Sequence, residues 1–188
     1  GLLKYTPAAN AIGAPYRTFT FQVQDNGGTA NAGVNLDASA NTLTINVTPV
    51  NDAPAGINKT ITALEDTAYT FTAADFGFSD LLDSPAHTLL AVQITTLPTA
   101  GTLTNNGVAV NAGQFIALAD ITAGLLKFTA AANAKGTSYT TFTFQVQDNG
   151  GTANGGVDLD PSANTITVNV TSVNDAPAGT DKTITALE

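Results

Sequence analysis

Cysteine and tryptophan are absent from these 188 residues, histidine occurs once, and six Lys and Arg face fifteen Asp and Glu. Without cysteine the chain can form neither a disulfide nor a thiolate metal site. Without tryptophan, and with its Phe residues placed inward by the strand patterns below, it lacks the exposed aromatic platforms on which sugars usually stack. The formal charge of −9 argues against nucleic acid and against an anionic membrane surface, since both need clustered cations. No apolar run approaches the roughly 20 residues of a membrane helix, so no membrane insertion is expected. Catalysis finds little footing, and no enzyme is expected. His87 has no cysteine to work with and reads as structural, and the neighbours Glu65 and Asp66 would point to opposite faces of a strand.

What the chain does have is repetition. VNDAPAG stands at Val50 to Gly56 and again at Val173 to Gly179, and residues 1–65 align without a gap on residues 124–188 with 51 of 65 positions identical. A period of 123 residues is a domain, not a solenoid unit. The 65 residues left over make the expectation a length of a longer tandem array, with partial domains at both ends.

The pattern inside each copy is that of short strands. Tyr16 to Gln24 alternates strictly, with Phe19, Phe21 and Val23 on one face. Asn41 to Thr48 alternates through Leu43, Ile45 and Val47, and both segments recur at Tyr139 to Gln147 and Asn164 to Thr171. Further strands are expected at Leu2 to Tyr5, Lys59 to Leu64, Thr67 to Thr72, Leu89 to Thr95 (Leu90, Val92 and Ile94 inward) and Leu125 to Thr129. Asn105-Asn106-Gly107 marks a hairpin within Thr102 to Val110, and a helical turn fits within Phe115 to Ile121. Some eight short strands with turn signals and no long 3.6-residue periodicity predict an all-β, antiparallel Greek-key β-sandwich. The prolines and glycine of residues 49–56 hold the backbone extended and place a boundary there. The expected organisation is the end of one repeat at residues 1–50, a linker at 51–56, a complete repeat at 57–173, and a linker with a first strand at 174–188. Partial domains expose sheet edges, and strand addition between neighbouring copies would complete them.

The acids of the complete copy gather in its turns: Asp52, Glu65, Asp66, Asp75, Asp80, Asp83, Asp120, Asp148, Asp158 and Asp160. Solvent tolerates acids in turns and Asp is a favoured turn former, which is one explanation. Calcium, which takes six to eight oxygens at once, is the other. In the loop 148–162, Asp158 and Asp160 stand at i and i+2, so that both carboxylates could face one way, while a flexible hairpin tip accounts for the loop equally well.

The VNDAP junction, the Glu65-Asp66-Thr67 step, the segment Asp75 to Asp80 (DFGFSD) and the strand ending in Asp148-Asn149-Gly150-Gly151 together resemble the cadherin-like tandem repeats of large bacterial surface adhesins of the RTX and biofilm type. The resemblance covers essentially the whole chain. It implies an extracellular, secreted or cell-surface location, a cadherin- or immunoglobulin-like sandwich, and Ca2+ held at junctions between neighbouring repeats of the chain. Carried over residue by residue, it assigns Asn51, Asp52, Asn174 and Asp175 to the junction, Glu65 to the first-strand acid, Asp80 and Asp83 to the loop of the following domain, and Asp148 to the loop of the preceding one. Asp160 joins them as a loop ligand. Pro49 and Ser172 stand where the junction's first Asp would be, and Ala53 and Ala176 where its second Asn would be, which implies one or two ions instead of three. The function so implied is a calcium-stiffened spacer serving cell adhesion or biofilm formation. The alternative is a binding module for polysaccharide or for another copy of the adhesin.

Overall fold

The computed structural model describes residues 2–188, which are mostly β and divide into two compact units. The first unit contains residues up to Ala53 with the segments Asp80–Thr88 and Asp148–Asp158. The second contains Pro54–Ser79, Leu89–Gln147 and Leu159–Glu188.

In the first unit, β1 (Gly13–Phe21) and β2 (Asn41–Val47) form an antiparallel pair in which Phe19 faces Leu43. The strands expected at Tyr16 to Gln24 and Asn41 to Thr48 form, the first ending at Phe21, but among the described residues this two-stranded sheet has no further strand on either side. Phe19, Phe21 and Leu43 are accordingly each about 40% exposed. The strand expected at Leu2 to Tyr5 does not form, and Leu2 and Leu3 lie in the open.

The second unit begins with β3 (Lys59–Leu64) and β4 (Tyr69–Thr70), continues through β5 (Leu89–Thr96), β6 (Thr102–Asn105), β7 (Val108–Ala109) and β8 (Gln114–Ala117), and then makes the short helix α1 (Leu118–Thr122). It closes with β9 (Leu126–Thr129), β10 (Gly136–Asp148, whose last residue belongs to the first unit) and β11 (Asn164–Thr171). Two sheets result, one ordered β3-β11-β10-β5-β8 and the other β4-β9-β6-β7. The β10–β11, β5–β8, β6–β7, β6–β9 and β4–β9 pairs are antiparallel, whereas β3 runs parallel to β11, with Lys59 beside Ile166 and Leu64 beside Thr171.

The period-2 patterns decide which side chains meet. Phe142, Phe144 and Val146 on β10 and Ile166, Val168 and Val170 on β11 are buried together with Leu103, Leu126 and Phe128 from the other sheet in one core. Phe71 stands edge-on to Phe142 at 5.7 Å and Phe76 edge-on to Phe144 at 5.0 Å, a geometry that adds ring electrostatics to apolar burial. The β6–β7 hairpin turns through Asn106 and Gly107, both at positive φ, as Asn-Gly predicts.

Several expectations are corrected. On β5, Leu89, Ala91, Val92 and Ile94 are buried while Leu90 is half exposed, because the strand does not keep one alternation along its length. The strand expected over Thr67 to Thr72 shrinks to two residues: Asp66 takes positive φ before it, and Thr72 caps a 3-10 turn after it. At the end of the expected linker 51–56 the backbone finds partners. Ala55 exchanges two 2.8 Å backbone bonds with Ser79, and the Ile57 N–H donates to the Phe76 carbonyl. Beyond Thr171 no strand forms through residue 188. No helix among the described residues is long and apolar enough to cross a membrane.

Phe144 and Phe21 occupy equivalent positions in the repeat, one with no exposure and one about 40% exposed. Phe144→Ala is expected to cost about 3–5 kcal/mol in urea unfolding, and Phe21→Ala under about 1 kcal/mol.

Candidate metal centre

The turn after β10 is written locally. In Asp148-Asn149-Gly150 the Gly150 N–H donates to the Asp148 Oδ1 at 2.8 Å, and the same letters in the first copy give the same bond from Gly27 to Asp25, also at 2.8 Å. This is the Asx turn that Asp favours because its short side chain reaches its own backbone two residues on. What surrounds the two turns differs. Asp25 is exposed, while Asp148 has no exposure at all and sits against Asn51.

Asn51 ties the site together. Its amide nitrogen donates to Asp148 Oδ1 at 3.1 Å and to the Val157 carbonyl at 2.7 Å, so one side chain joins the junction segment to both ends of the 148–158 loop. The loop 80–88 is held in turn: the Asp52 N–H donates to Asp83 Oδ2 at 2.9 Å, the His87 N–H to Asp80 Oδ2 at 2.5 Å, and Thr88 and Asn149 exchange hydrogen bonds. Asp80, Asp83 and His87 thereby converge, and an oxygen or nitrogen from each lies within 4.8 Å of the others. The His87 Nδ1 stands 3.6 Å from Asp80 Oδ2 and 3.5 Å from Asp83 Oδ2, and it makes no hydrogen bond to either.

Three polar atoms here are buried without a partner: Asn51 Oδ1, Asp80 Oδ1 and His87 Nδ1. An unsatisfied buried acceptor costs about 1–3 kcal/mol, and more when charged. No lysine or arginine pairs with Asp80, Asp83 or Asp148 among the described residues, since both ion pairs there use His87. Burial pushes the Asp148 carboxyl above its usual range, and the Asp80 charge adds to that. The Gly150 and Asn51 hydrogen bonds and the His87 charge oppose it. A pocket of about 150 Å3, bounded by Pro49, Asn51, Asp83, Pro85, His87 and Gly150, gives access from outside. Two carboxylates and an imidazole nitrogen within 4.8 Å of one another, without lysine or arginine partners among the described residues and with Asn51 and Asp148 beside them, can hold a divalent cation.

Of the residues assigned from the sequence, Asn51, Asp52, Asp80, Asp83 and Asp148 meet here, Asp52 through its backbone. His87, read as structural, is the member that reading missed. Its signal was the spacing Asp80, Asp83, His87 in a loop rich in turn formers. Asp160 lies in the second unit with both oxygens engaged, by the Ser162 N–H and hydroxyl on one and by the Gly56 N–H and the Asn164 amide on the other. Its counterpart Asp37 makes the same turn with Ser39 and Asn41, and these donors, the Ser39 backbone first, hold the Asp37 carboxyl below its usual range. Glu65 is buried and accepts from the Val173 N–H, and together with Asn174 and Asp175 it borders a separate open concavity. No family profile, curated protein or solved structure matches the chain.

Gly150 closes the cradle. A Cβ built on it would strike the Asn51 side chain and come within 2.6 Å of His87 Nδ1, although the backbone conformation suits any residue. Gly150→Ala should therefore lower stability by about 1–3 kcal/mol through overpacking, measured as a fall in urea midpoint, and weaken any cation bound here.

Proposed function

We propose that the chain is a spacer segment of a secreted or cell-surface adhesin, built of Greek-key β-sandwich repeats and stabilised by a divalent cation, calcium in an extracellular setting. The observation that carries the reading is the set of buried, unpartnered acceptors at Asn51 and Asp80 beside Asp83 and Asp148. Calcium would draw residues 51–52, 80–87 and 148–150 to one centre, replacing carboxylate repulsion with attraction. Sites with few ligands and modest rigidity bind calcium at about 0.1–1 mM, which suits an extracellular module. The all-β fold, the acidic surface and the absence of cysteine agree with this reading.

The test is melting of the full chain in calcium and in chelator. A ligand of the native state stabilises by about 2.7 kcal/mol at a hundred times its Kd, so the expected outcome is a rise of several degrees that Asp80→Asn abolishes. Scattering from the same samples should show a longer and stiffer particle in calcium. Equal melting temperatures in both conditions would sink the calcium reading.

A second reading, association between copies, has its own support. Residues 182–187 repeat the β3 sequence 59–64, which pairs in parallel with β11, and β2 is the sequence equivalent of β11. The side of β2 away from β1 has no strand partner among the described residues, and Ile184 and Leu187 are exposed. Donation of 182–187 from one copy to β2 of another would place Lys182 beside Leu43 and Ile184 beside Ile45. Such a head-to-tail contact is heterologous and builds chains. Sedimentation velocity should show mass rising with concentration, and Thr185→Pro should return a monomer because proline cannot donate to the ladder.

A further inference from the structure

We propose that the cluster at Asp80, Asp83 and His87 takes a borderline transition cation of the zinc class through the His87 Nδ1, in competition with calcium. The inference rests on the reading above that the cluster is a cation site. It goes beyond it in ligand atom and in metal.

Calcium is a hard cation that takes oxygen donors, whereas imidazole nitrogen suits zinc, nickel, copper and iron. A site built for calcium alone has no use for an imidazole turned inward. Here the imidazole is turned inward. Its Nδ1 is buried, makes no hydrogen bond, and lies 3.6 and 3.5 Å from oxygens of Asp80 and Asp83. Around a tetrahedral ion with bonds of about 2.0–2.2 Å, neighbouring donors stand roughly 3.3–3.6 Å apart, so the observed separations are already those of a polyhedron edge. A fourth donor is at hand in Asn51 Oδ1, also buried and unpartnered. Asp148, fully buried beside Asn51, adds negative charge without being spent on a lysine or arginine.

The supports of these donors are in place as well. The His87 N–H holds Asp80 by its Oδ2, leaving Oδ1 free, and the Asp52 N–H holds Asp83. These bonds fall on the same Oδ2 atoms that face His87 Nδ1, and together with the bonds of the Asn51 amide nitrogen they hold the donor side chains in place, as outer-shell partners do in metal sites. Gly150 leaves the space between Asn51 and His87 open.

The composition makes the test unusually clean. The chain has one histidine and no cysteine, so any imidazole coordination must be at His87 and thiolate coordination is excluded. The full chain, stripped with chelator, would be titrated separately with zinc and with calcium, and long-range proton–nitrogen spectra would follow the one imidazole. The expected result is a stoichiometric zinc complex with the Nδ1 resonance moved to the metal-bound position, and zinc affinity falling at least about tenfold in His87→Gln. Calcium affinity in that variant should change less than about threefold. Melting in chelator checks that His87→Gln folds as the parent does. If calcium raises the melting temperature while zinc leaves Nδ1 unmoved, the zinc inference fails and the calcium reading stands. If zinc binds equally to parent and His87→Gln, it sits elsewhere and the inference is likewise overturned. If neither cation binds, both readings fall.

Discussion

Much of the first unit depends on the burial of a carboxylate that has no lysine or arginine partner among the described residues. Asp148 is removed from water at the end of β10, and its charge is met only by the Gly150 N–H, the Asn51 amide and the nearby imidazole of His87. Taking a carboxylate out of water costs several kcal/mol even after relaxation. Asn51 offsets part of that cost and at the same time fixes the 148–158 loop through Val157. Replacing this amide by an apolar group would strand a charge, which is why a polar residue stands at the centre of a buried contact. Asp80 adds a second carboxylate nearby, whose charge pushes the Asp148 carboxyl up further.

The second unit obeys a different constraint, the side-chain period of two along paired strands. Phe142, Phe144 and Val146 alternate inward on β10, and Ile166, Val168 and Val170 on its neighbour β11. Each fully buried large side chain contributes about 1.5–3 kcal/mol relative to exposure. The equivalent apolar residues in β1 and β2 contribute less, because Phe19, Phe21 and Leu43 stay about 40% exposed. Residue type alone does not make a core. The covering layer does.

This contrast also explains how much was legible in the sequence. Strands with clean alternation, Lys59 to Leu64 and Asn164 to Thr171, were read to within a residue of their observed limits, since alternation reports one buried face directly. Leu2 to Tyr5 misled for a physical reason. Its equivalent, β9, exists by pairing with β4 and β6, whose sequences have no copy in the first 65 residues. At Pro54 to Ile57 the prolines and glycine marked an extended boundary, while the backbone partners Ser79 and Phe76 come from elsewhere in the chain and left no mark in the local sequence. At the candidate site, the acids were visible as a group, while their division into Asp80, Asp83 and Asp148 on one side and the hydrogen-bond-saturated Asp160 on the other required knowing which donors surround each. His87 stood in the sequence only as a spacing from Asp80 and Asp83, which becomes a cluster once the loop folds the imidazole against the two carboxylates.

The parallel register of β3 on β11 sets the order in which the second unit can be made. Lys59 lies beside Ile166, a separation of 166 − 59 = 107 residues, so β3 is synthesised long before its partner strand exists. At about 5–20 residues per second the wait is roughly 5–20 seconds, far longer than the microseconds in which β-hairpins form. Through that interval β3 is an unpaired edge carrying Ile61 and Ala63, and the parallel rung that seals the sheet must close the largest loop in the unit. Assembly is thus gated by the last strand to emerge: the antiparallel hairpins can form in chain order, and the sheet is completed only when residue 171 has left the ribosome.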